Sequence, residues 1–324
     1  MPEPSSHQNN QPVVIALGGT GVIGQSLAGV AARRGLGYRS LSLSPNATEN
    51  MATNVCVDLS TVTAEQISSI LEQTEFHAPL LGILDIIGLR GTAAEAIANF
   101  AVRRNAPVAV ISSCLLYDHA GNQAVDEYTA SFTAASAPHS YHRNKLLVEH
   151  FWRKQSLDWR ILRTNHVLGK GSLLGCIPAH NRDPMLLQRL KSGETLALAR
   201  RGDLRLSYIH PEDLAQVALN LLLSRALPSQ IINVVHPSPV RALDYYVMIA
   251  TQLGVDMVRP TDFQVDPMNF WSTTARDNVY RSRFPEVSGN SFHHDIQTCI
   301  RDALTVDPSV YAGLGQFMWS RISG

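Results

Sequence analysis

The fold is indicated near the start of the chain by the stretch VVIALGGTGVIG, residues 13–24. Its first five residues form a continuous apolar run, which is typical of a buried parallel strand. Gly18, Gly21 and Gly24 follow at three-residue spacing, where this strand turns into a predicted helix. In such a turn the first glycine permits the tight bend, the second lets the backbone approach a pyrophosphate, and the third allows close helix packing. The stretch therefore predicts a dinucleotide site, because the free N–H groups of the helix N-terminus attract an anion.

Strands and helices alternate regularly after this turn. The predicted strands cover residues 13–17, 38–43, 54–57, 80–87, 107–111 and 159–162, and the predicted helices cover residues 22–34, 63–73, 92–104 and 139–154. This alternation predicts an α/β fold with a doubly wound, Rossmann-like parallel sheet.

The regular alternation of strands and helices ends after residue 163. The sequence predicts helices at 184–191, 211–223 and 243–253 and strands at 195–199 and 231–235, while the remainder has an irregular pattern. We therefore expect a disordered tail over residues 1–11 and a dinucleotide-binding domain over residues 12–165, with returns near 208–238. Residues 166–324 are expected to form mostly a smaller C-terminal substrate-binding lobe.

Composition excludes several classes of protein. The chain has 324 residues, of which 45% are hydrophobic, and its 27 Lys and Arg balance its 27 Asp and Glu, so nothing in the composition suggests a basic footprint for nucleic acid. The most apolar stretch, residues 79–89, is too short to cross a bilayer. Four scattered cysteines, without a CxxC pair, indicate a reducing compartment and no metal site: Cys56, Cys114, Cys176 and Cys299. These features predict a cytoplasmic protein without membrane or nucleic-acid partners.

A second motif carries chemistry, the pair Tyr141 and Lys145 within Ser-Tyr-His-Arg-Asn-Lys. At four-residue spacing on a helix both side chains lie on one face, one turn apart. A tyrosine beside a fixed ammonium releases its phenolic proton more easily, and lowering its pKa from ~10 by ~3 units takes roughly 4 kcal/mol. The alternative is a helix surface pair, but a serine-bearing strand lies one loop upstream, which favours an acid/base role toward a carbonyl or alcohol.

Taken together, these stretches resemble the extended short-chain dehydrogenase/reductase superfamily, and within it the NAD-dependent epimerase/dehydratase family. The likeness runs from about residue 13 to residue 255. It is carried by the glycine turn (GxxGxxG), by SSCLLY at 112–117 (Ser-Ser-x-x-x-Tyr), by Tyr141–Lys145 (YxxxK), by Leu162-Arg163 with Val167-Leu168-Gly169, and by YIHPEDLA at 208–215.

The resemblance implies roles for individual residues. Ser113 would donate a hydrogen bond to the substrate carbonyl, Tyr141 would exchange the hydroxyl proton, and Lys145 would hold the nicotinamide ribose and lower the tyrosine pKa. The expected cofactor-binding residues are Gly18, Thr20, Gly21, Val22, Ile23, Gly24, Ser42, Asp58, Leu59, Ile87 and Lys145. For Asp58, a helix-capping role is the alternative.

The form of the cofactor is predicted from the end of the second strand. Recognition of a free ribose 2′-OH usually employs a carboxylate there, and Leu41-Ser42-Leu43-Ser44 offers none. This favours NADP, with NAD as the alternative. The same segment also lacks an arginine to hold a 2′-phosphate, so Arg34 and Arg39 are the candidates for that contact.

Several positions depart from the family pattern. Asp85 stands where the family commonly has a histidine, and Asp118 replaces the glycine that normally follows Tyr117. Leu206 stands where nucleotide-sugar enzymes place an arginine to hold a diphosphate, and Arg205 is expected on the other face. The remaining polar neighbours are interpreted as structural or solvated groups: Cys114, His142, His166, Arg200 and Arg201. The alternatives are a second acid/base for the two histidines and, for the arginines together with Arg205, a pocket for an anionic substrate.

Three functions remain open. The leading prediction is an NAD(P)-dependent oxidoreductase that transfers a hydride to or from a ketone or secondary alcohol of a small metabolite. The first alternative is a nucleotide-sugar epimerase or dehydratase that retains its NAD, and the second is a non-catalytic dinucleotide-sensing protein. The resemblance also implies a homodimer paired through helices 92–104 and 139–154.

Overall fold

The structure, a computed structural model, describes residues 11–43, 54–59, 61–73, 78–119, 121, 123–175, 183–224, 227–263, 276–287 and 292–306. All but one residue of the predicted tail 1–11, and Cys176, lie outside these ranges. The strands are β1 (Val13–Leu17), β2 (Gly37–Ser42), β3 (Asn54–Cys56), β4 (Leu80–Asp85), β5 (Val108–Ser113), β6 (Trp159–Thr164), β7 (His166–Val167), β8 (Thr195–Leu198), β9 (Arg205–Leu206), β10 (Tyr208–Ile209), β11 (Gln230–Asn233), β12 (Val240–Arg241) and β13 (Arg259–Asp262). The helices are α1 (Val22–Arg33), α2 (Ala64–Gln73), α3 (Gly91–Arg104), α4 (Ser140–Trp152), α5 (Leu186–Lys191), α6 (Pro211–Leu223), α7 (Ala242–Gln252) and α8 (Ile296–Leu304).

Seven strands form the central sheet in the order β11-β6-β5-β4-β1-β2-β3. The pairs β1–β2, β1–β4, β2–β3 and β4–β5 run parallel. From β1 the chain proceeds to β2 and β3 on one side and then returns to β4 on the other, which makes the carboxyl end of β1 a topological switch point where such sheets bind ligands. The predicted doubly wound α/β fold is confirmed.

Local sequence explains where several helices begin. Thr63 and Gln66 form a capping box at α2, in which the Gln66 amide N–H donates to Thr63 Oγ1 at 3.3 Å and the Thr63 amide N–H donates to Gln66 Oε1 at 2.8 Å. Pro211 opens α6, and Glu212 and Asp213 occupy its first turn, as the sequence predicted.

The prediction of irregular structure after α7 is wrong. Residues 259–262 form β13, which pairs in parallel with β8, and Ile296–Leu304 forms α8. The N-cap of α8 is Asp295, whose Oδ1 accepts from the Thr298 amide N–H at 2.8 Å. One face of α8 buries Cys299, Ile300 and Ala303. An N-cap followed by apolar residues at helical spacing was present in the sequence and would have identified this helix.

The chain divides into two compact units that alternate along the sequence. The first unit comprises Met1–Ser112, Leu147–Leu162 and Ala215–Ile231, and its apolar core includes Ile15, Ile83 and Trp152. The second unit comprises Ser113–Leu146, Arg163–Leu214 and Ile232–Gly324, and its apolar core includes Leu206, Tyr245 and Ile300. Within the described parts of the chain, no helix has both the length and the apolarity needed to cross a membrane.

Candidate active site

The glycine turn joins β1 to α1 in the first unit. Gly18 has a φ of +87°, which is left-handed backbone that a side chain rarely adopts, and its N–H donates to Leu41 O at 2.8 Å. A Cβ on Gly24 would lie 2.3–2.4 Å from the backbone atoms of Gly19, so α1 packs directly on the turn that precedes it. Steric crowding therefore excludes side chains at Gly24, and conformation disfavours them at Gly18.

The N-terminus of α1 has the properties of an anion site. Its N-cap is Gly21, no side chain caps it, and its first turn contains no acidic residue. A Cβ on Gly21 would meet only Gly18 O, at 3.6 Å, so the space beside the first turn is open. Because the first amides of a helix have no intrahelical acceptor, this end suits the pyrophosphate of a dinucleotide. The residues present therefore fit the predicted cofactor, although their individual contacts with it stay predictions.

The end of β2 stabilises the same turn. The Thr20 N–H donates to Ser42 Oγ at 3.1 Å, and Ser42 is buried. Arg34 lies at the opposite end of α1, where its guanidinium donates to Asn220 Oδ1 at 2.8 Å and Gln216 Oε1 at 3.1 Å. The suggestion that Arg34 reaches a 2′-phosphate is therefore wrong, because this side chain is engaged with α6.

The other predicted cofactor residues of the first unit follow β3 and β4. Leu59 is buried in the apolar core, and α2 is capped by Thr63 rather than by Asp58. Asp85 closes the turn after β4, since its Oδ1 accepts from the Gly88 N–H at 2.8 Å. Ile87 lies in that turn, and its Cγ1 is 2.9 Å from where a Cβ of Gly18 would be. Of these residues, Ile87 is the one that the structure brings to the glycine turn.

The three predicted catalytic residues all belong to the second unit. Ser113 ends β5 and is buried, and its Oγ accepts from the Leu115 N–H at 3.2 Å. Tyr141 and Lys145 lie one turn apart at the start of α4, where Tyr141 is half-buried and Lys145 is 4% exposed. A nearly buried lysine is uncommon, and it marks a candidate functional position.

His142 follows Tyr141, and their rings meet edge to face with centroids 5.7 Å apart. Burial, followed by the charges of His139 and Arg276, lowers the pKa of His142 to about 4. The imidazole is therefore neutral near pH 7. Its Nδ1 is buried and has no hydrogen-bond partner among the described residues. His166 is also buried, with its ring edge-on to Tyr245.

A polar network that the sequence did not reveal lies after β5. The Tyr117 hydroxyl donates to Asn233 Oδ1 at 2.8 Å, and the Asn233 N–H donates to Glu127 Oε1 at 2.8 Å. Glu127 also accepts from Ser282 Oγ and from the Arg283 N–H. The partners are separated by 106 to 156 residues, and no local pattern signals such a pairing.

The β9 segment departs from a diphosphate site, as the sequence predicted. The Arg205 guanidinium donates from Nε and Nη2 to Asp277 Oδ2 at 3.1 and 2.7 Å, and the Arg205 N–H donates to Asp277 Oδ1 at 2.5 Å. Arg205 is exposed whereas Leu206 is buried, which agrees with their expected opposite faces. Arg200 is also exposed and forms a 3.7 Å ion pair with Asp203. Among the residues that the structure describes, no group of three or more His, Cys, Asp or Glu could hold a metal ion.

Comparison with known proteins confirms the predicted resemblance. The model of the NAD dependent epimerase/dehydratase family matches residues 82–234. The matched part contains Ser113, Tyr141 and Lys145 and begins after the glycine turn. Among curated proteins, none matches this sequence.

Solved structures share the fold at low sequence identity. The enzyme WbmH of Bordetella bronchiseptica, in complex with NAD+, has 14% identity and a TM-score of 0.71, with 91% of this chain and 98% of that chain covered. The epimerase Mth375 of Methanothermobacter thermautotrophicus has 13% identity and a TM-score of 0.70, with 97% and 95% covered. The UDP-glucose-4-epimerase of Stenotrophomonas maltophila, with bound NAD and formylated UDP-arabinopyranose, has 15% identity and a TM-score of 0.69, with 94% and 100% covered. At these identities the likeness shows the fold alone.

Proposed function

From the family match over residues 82–234, we propose that this protein is an NAD-dependent epimerase or dehydratase that oxidises a secondary alcohol of its substrate and later returns the hydride. The observation that carries the proposal is the Tyr141–Lys145 pair, which lies within the matched part and places a nearly buried ammonium one helical turn from a phenol. Ser113 belongs to the same compact unit.

Each residue has a defined task in this proposal. NAD, when bound, supplies the carbon that accepts and returns the hydride. Tyr141 takes the proton of the substrate hydroxyl and later gives it back, while Lys145 holds the nicotinamide ribose. The hydroxyl hydrogen of Ser113 is available for the substrate oxygen, because Ser113 Oγ uses a lone pair, not its hydrogen, toward Leu115. The amides at the start of α1 bind the pyrophosphate.

The proposal includes NAD rather than the NADP favoured by the sequence. Ser42 is engaged with the glycine turn, Arg34 is engaged with α6, and residues 43–53 contain no lysine or arginine to bind a 2′-phosphate. The solved structures that name a cofactor name NAD, which supports the same choice. Calorimetric titration with both cofactors is the test, and tighter binding of NADP+ than of NAD+ would contradict this assignment.

The substrate class has two candidates. A nucleotide sugar is supported by the ligands named in the similar structures, which include UDP-glucose, UDP-glucuronic acid and formylated UDP-arabinopyranose. A small ketone or secondary alcohol in a net redox reaction is favoured by β9, where Leu206 is buried and Arg205 is already paired with Asp277. A guanidinium bound to a carboxylate must lose that partner before it can hold a diphosphate.

One experiment separates these candidates. The purified protein is incubated with NAD+ or NADH and with panels of UDP-sugars and small carbonyl compounds or alcohols, while absorbance at 340 nm and products are followed. An epimerase or dehydratase converts a UDP-sugar without net change at 340 nm, whereas an oxidoreductase changes the absorbance in proportion to the substrate consumed.

Tyr141→Phe should lower either activity by roughly 10²–10⁴-fold, which is the contribution of a positioned general acid/base, and should leave NAD+ binding intact. Tyr128→Phe is the matched control, since Tyr128 is 80% exposed and has no assigned role. Turnover retained by Tyr141→Phe would remove the proposed acid/base. Binding of NAD+ without turnover on any compound would instead support the non-catalytic alternative.

A homodimer is part of the same proposal. Val102 on α3 and Leu147 on α4 are 65% and 52% exposed, which leaves apolar surface on the two helices expected to pair. Light scattering of the purified protein should give twice the 35.5 kDa chain mass. A mass equal to that of one chain would contradict the proposed homodimer.

A further inference from the structure

A buried hydrogen bond joins the carboxyl end of β5 to α4. Ser112 Oγ donates to Glu149 Oε1 at 2.6 Å, and the two residues are 4% and 3% exposed. This length is typical of a hydroxyl bonded to a carboxylate, which is a strong and directional contact. Both residues belong to the first unit, and the proposed reaction uses neither of them.

The positions of the two residues along the chain give the bond its significance. Ser112 immediately precedes Ser113 on the same strand. Glu149 follows Lys145 by four residues and Tyr141 by eight on one continuous helix. At about 100° per residue, these three helical residues fall within an arc of about 80°, so they share one face. A displacement of Glu149 is therefore transmitted along the helix to the ammonium and the phenol.

This part of α4 also packs through apolar side chains. Val148 and Trp152 belong to the apolar core of the first unit, together with Ile161 of β6. Apolar packing is favourable but not directional, so it tolerates small rotations and translations of a helix. The hydrogen bond of Glu149, in contrast, is a directional contact between α4 and the end of β5.

Stability alone does not account for this pair. A buried carboxylate loses hydration, and replacing buried polar pairs by apolar residues of similar volume is often neutral or stabilising. Breaking the pair on one side only is costly, because the remaining group is left without its partner. A double substitution that removes both polar groups therefore allows the effect on the position of α4 to be measured separately from the effect on stability.

We propose that Ser112 and Glu149 are positioning residues, whose hydrogen bond holds α4 in the register that places Lys145 and Tyr141 for the reaction. The inference rests on the proposed function, in which Lys145 contacts the nicotinamide ribose. The bond acts through Lys145, so its loss weakens cofactor binding even though neither residue touches the cofactor.

The test compares NAD+ affinity with stability and needs no substrate. The double variant Ser112→Ala/Glu149→Leu removes both polar groups, and NAD+ dissociation constants are measured by calorimetry alongside thermal unfolding without ligand. We expect the double variant to bind NAD+ about tenfold more weakly, a change equal to ~1.4 kcal/mol, with a melting temperature within a few degrees of the wild type. Ser112→Thr keeps the hydroxyl and Glu149→Gln keeps an acceptor oxygen, so both should retain affinity within about threefold.

Thr63→Ala is the matched control. It removes a hydroxyl acceptor from the capping box of α2 in the same unit and should lower the melting temperature with no change in NAD+ affinity. A fall in NAD+ affinity in Thr63→Ala as large as in the double variant would show that the effect follows stability, and it would overturn the inference.

A mutant cycle with Lys145→Met tests whether the effect on NAD+ binding depends on Lys145. If Ser112 and Glu149 act through Lys145, this substitution weakens NAD+ binding in the wild type but adds little in the double variant. Additive effects, or a double variant that binds NAD+ like the wild type, would overturn the inference and leave the proposed function intact. If Lys145→Met leaves the NAD+ affinity of the wild type unchanged, the role of Lys145 in the proposed function fails, and this inference fails with it.

Discussion

The glycine turn was predicted to bind a pyrophosphate, whereas the β9 segment was predicted to lack the arginine with which nucleotide-sugar enzymes hold a diphosphate, and the two are built in opposite ways. The glycine turn spans seven residues, and its shape follows from backbone conformation and from contacts such as that between Gly24 and Gly19. In the β9 segment, Arg205 finds its partner in Asp277, 72 residues away along the chain.

The difference shows how far a motif can be interpreted. In the glycine turn, contacts between residues of the motif itself determine the conformation. The sequence therefore indicates both the geometry of the turn and the open N-terminus of the helix. In the β9 segment the motif positions supply an arginine and a leucine, but a distant carboxylate determines what the arginine can bind. Four measurements test this difference between the two regions and their surroundings.

Gly24→Ala tests the local construction of the glycine turn. The added Cβ would lie within 2.4 Å of backbone atoms of Gly19, which have little freedom to move. We expect a loss of more than ~3 kcal/mol in the free energy of unfolding, measured by urea titration, because overpacking against backbone reaches the upper end of such costs. In the matched variant Gly21→Ala the nearest atom is 3.6 Å away, so the cost should stay below about 1 kcal/mol. Equal losses in the two variants would contradict the steric account.

The pH dependence of the free energy of unfolding tests the buried environment of His142 in the second unit. In the folded protein the pKa of His142 is lowered to about 4, mainly by burial, whereas an unfolded histidine has a pKa near ~6.5. As the pH falls from ~6.5 toward ~4, the unfolded state gains a proton that the folded state does not, so stability decreases. At pH 5.5 this histidine should cost at most about 1.4 kcal/mol.

Urea titrations of the wild type and of His142→Phe at pH 7.0 and 5.5 measure this contribution. The phenylalanine ring suits the aromatic contacts with Phe132 and Tyr141 and cannot be protonated. The loss of stability between the two pH values should therefore be smaller in the variant. An identical loss in both proteins would exclude His142 as a cause.

Ser42→Ala tests whether the end of β2 supports the glycine turn. The substitution removes the acceptor of the Thr20 N–H, and a hydrogen bond of this kind contributes about 1 kcal/mol. The free energy of unfolding should fall by that amount, and Ser42→Thr, which keeps the hydroxyl, should recover part of it. A variant with the stability of the wild type would show that water replaces the serine hydroxyl.

Asp277→Asn tests the β9 segment and should have the smallest effect. The Arg205 side chain is 52% exposed, so the ion pair contributes about 0.5 kcal/mol and less at high salt. Thermal unfolding at low and high NaCl measures this contribution. UDP titrations of both proteins add a functional readout, since the variant should bind UDP more tightly if Arg205 faces the substrate. Equal UDP affinities would place Arg205 outside the substrate site.

Much of the fold could be predicted from the sequence because the elements up to residue 163 repeat a local pattern. The bounds of α6 were predicted to the residue, and those of β1, α1 and β4 within two residues. In the C-terminal region, β13 was not predicted because it is a short element containing Pro260, whereas α8 was missed although its N-cap and its apolar spacing were present in the sequence. Of the candidate site, the glycine turn and the Tyr141–Lys145 spacing were visible, whereas the network of Tyr117, Asn233 and Glu127 was not.

The strand–turn–helix at residues 13–24 and the shared face of Tyr141 and Lys145 follow from the sequence alone, because both depend on backbone geometry over a few residues. The contacts of Ser112 with Glu149 and of Arg205 with Asp277 were visible only in the folded chain. These pairs lie 37 and 72 residues apart, and contacts at such separations arise from the packing of whole elements. Local periodicity specifies which face of an element is apolar, but it does not specify which distant polar group will lie opposite it.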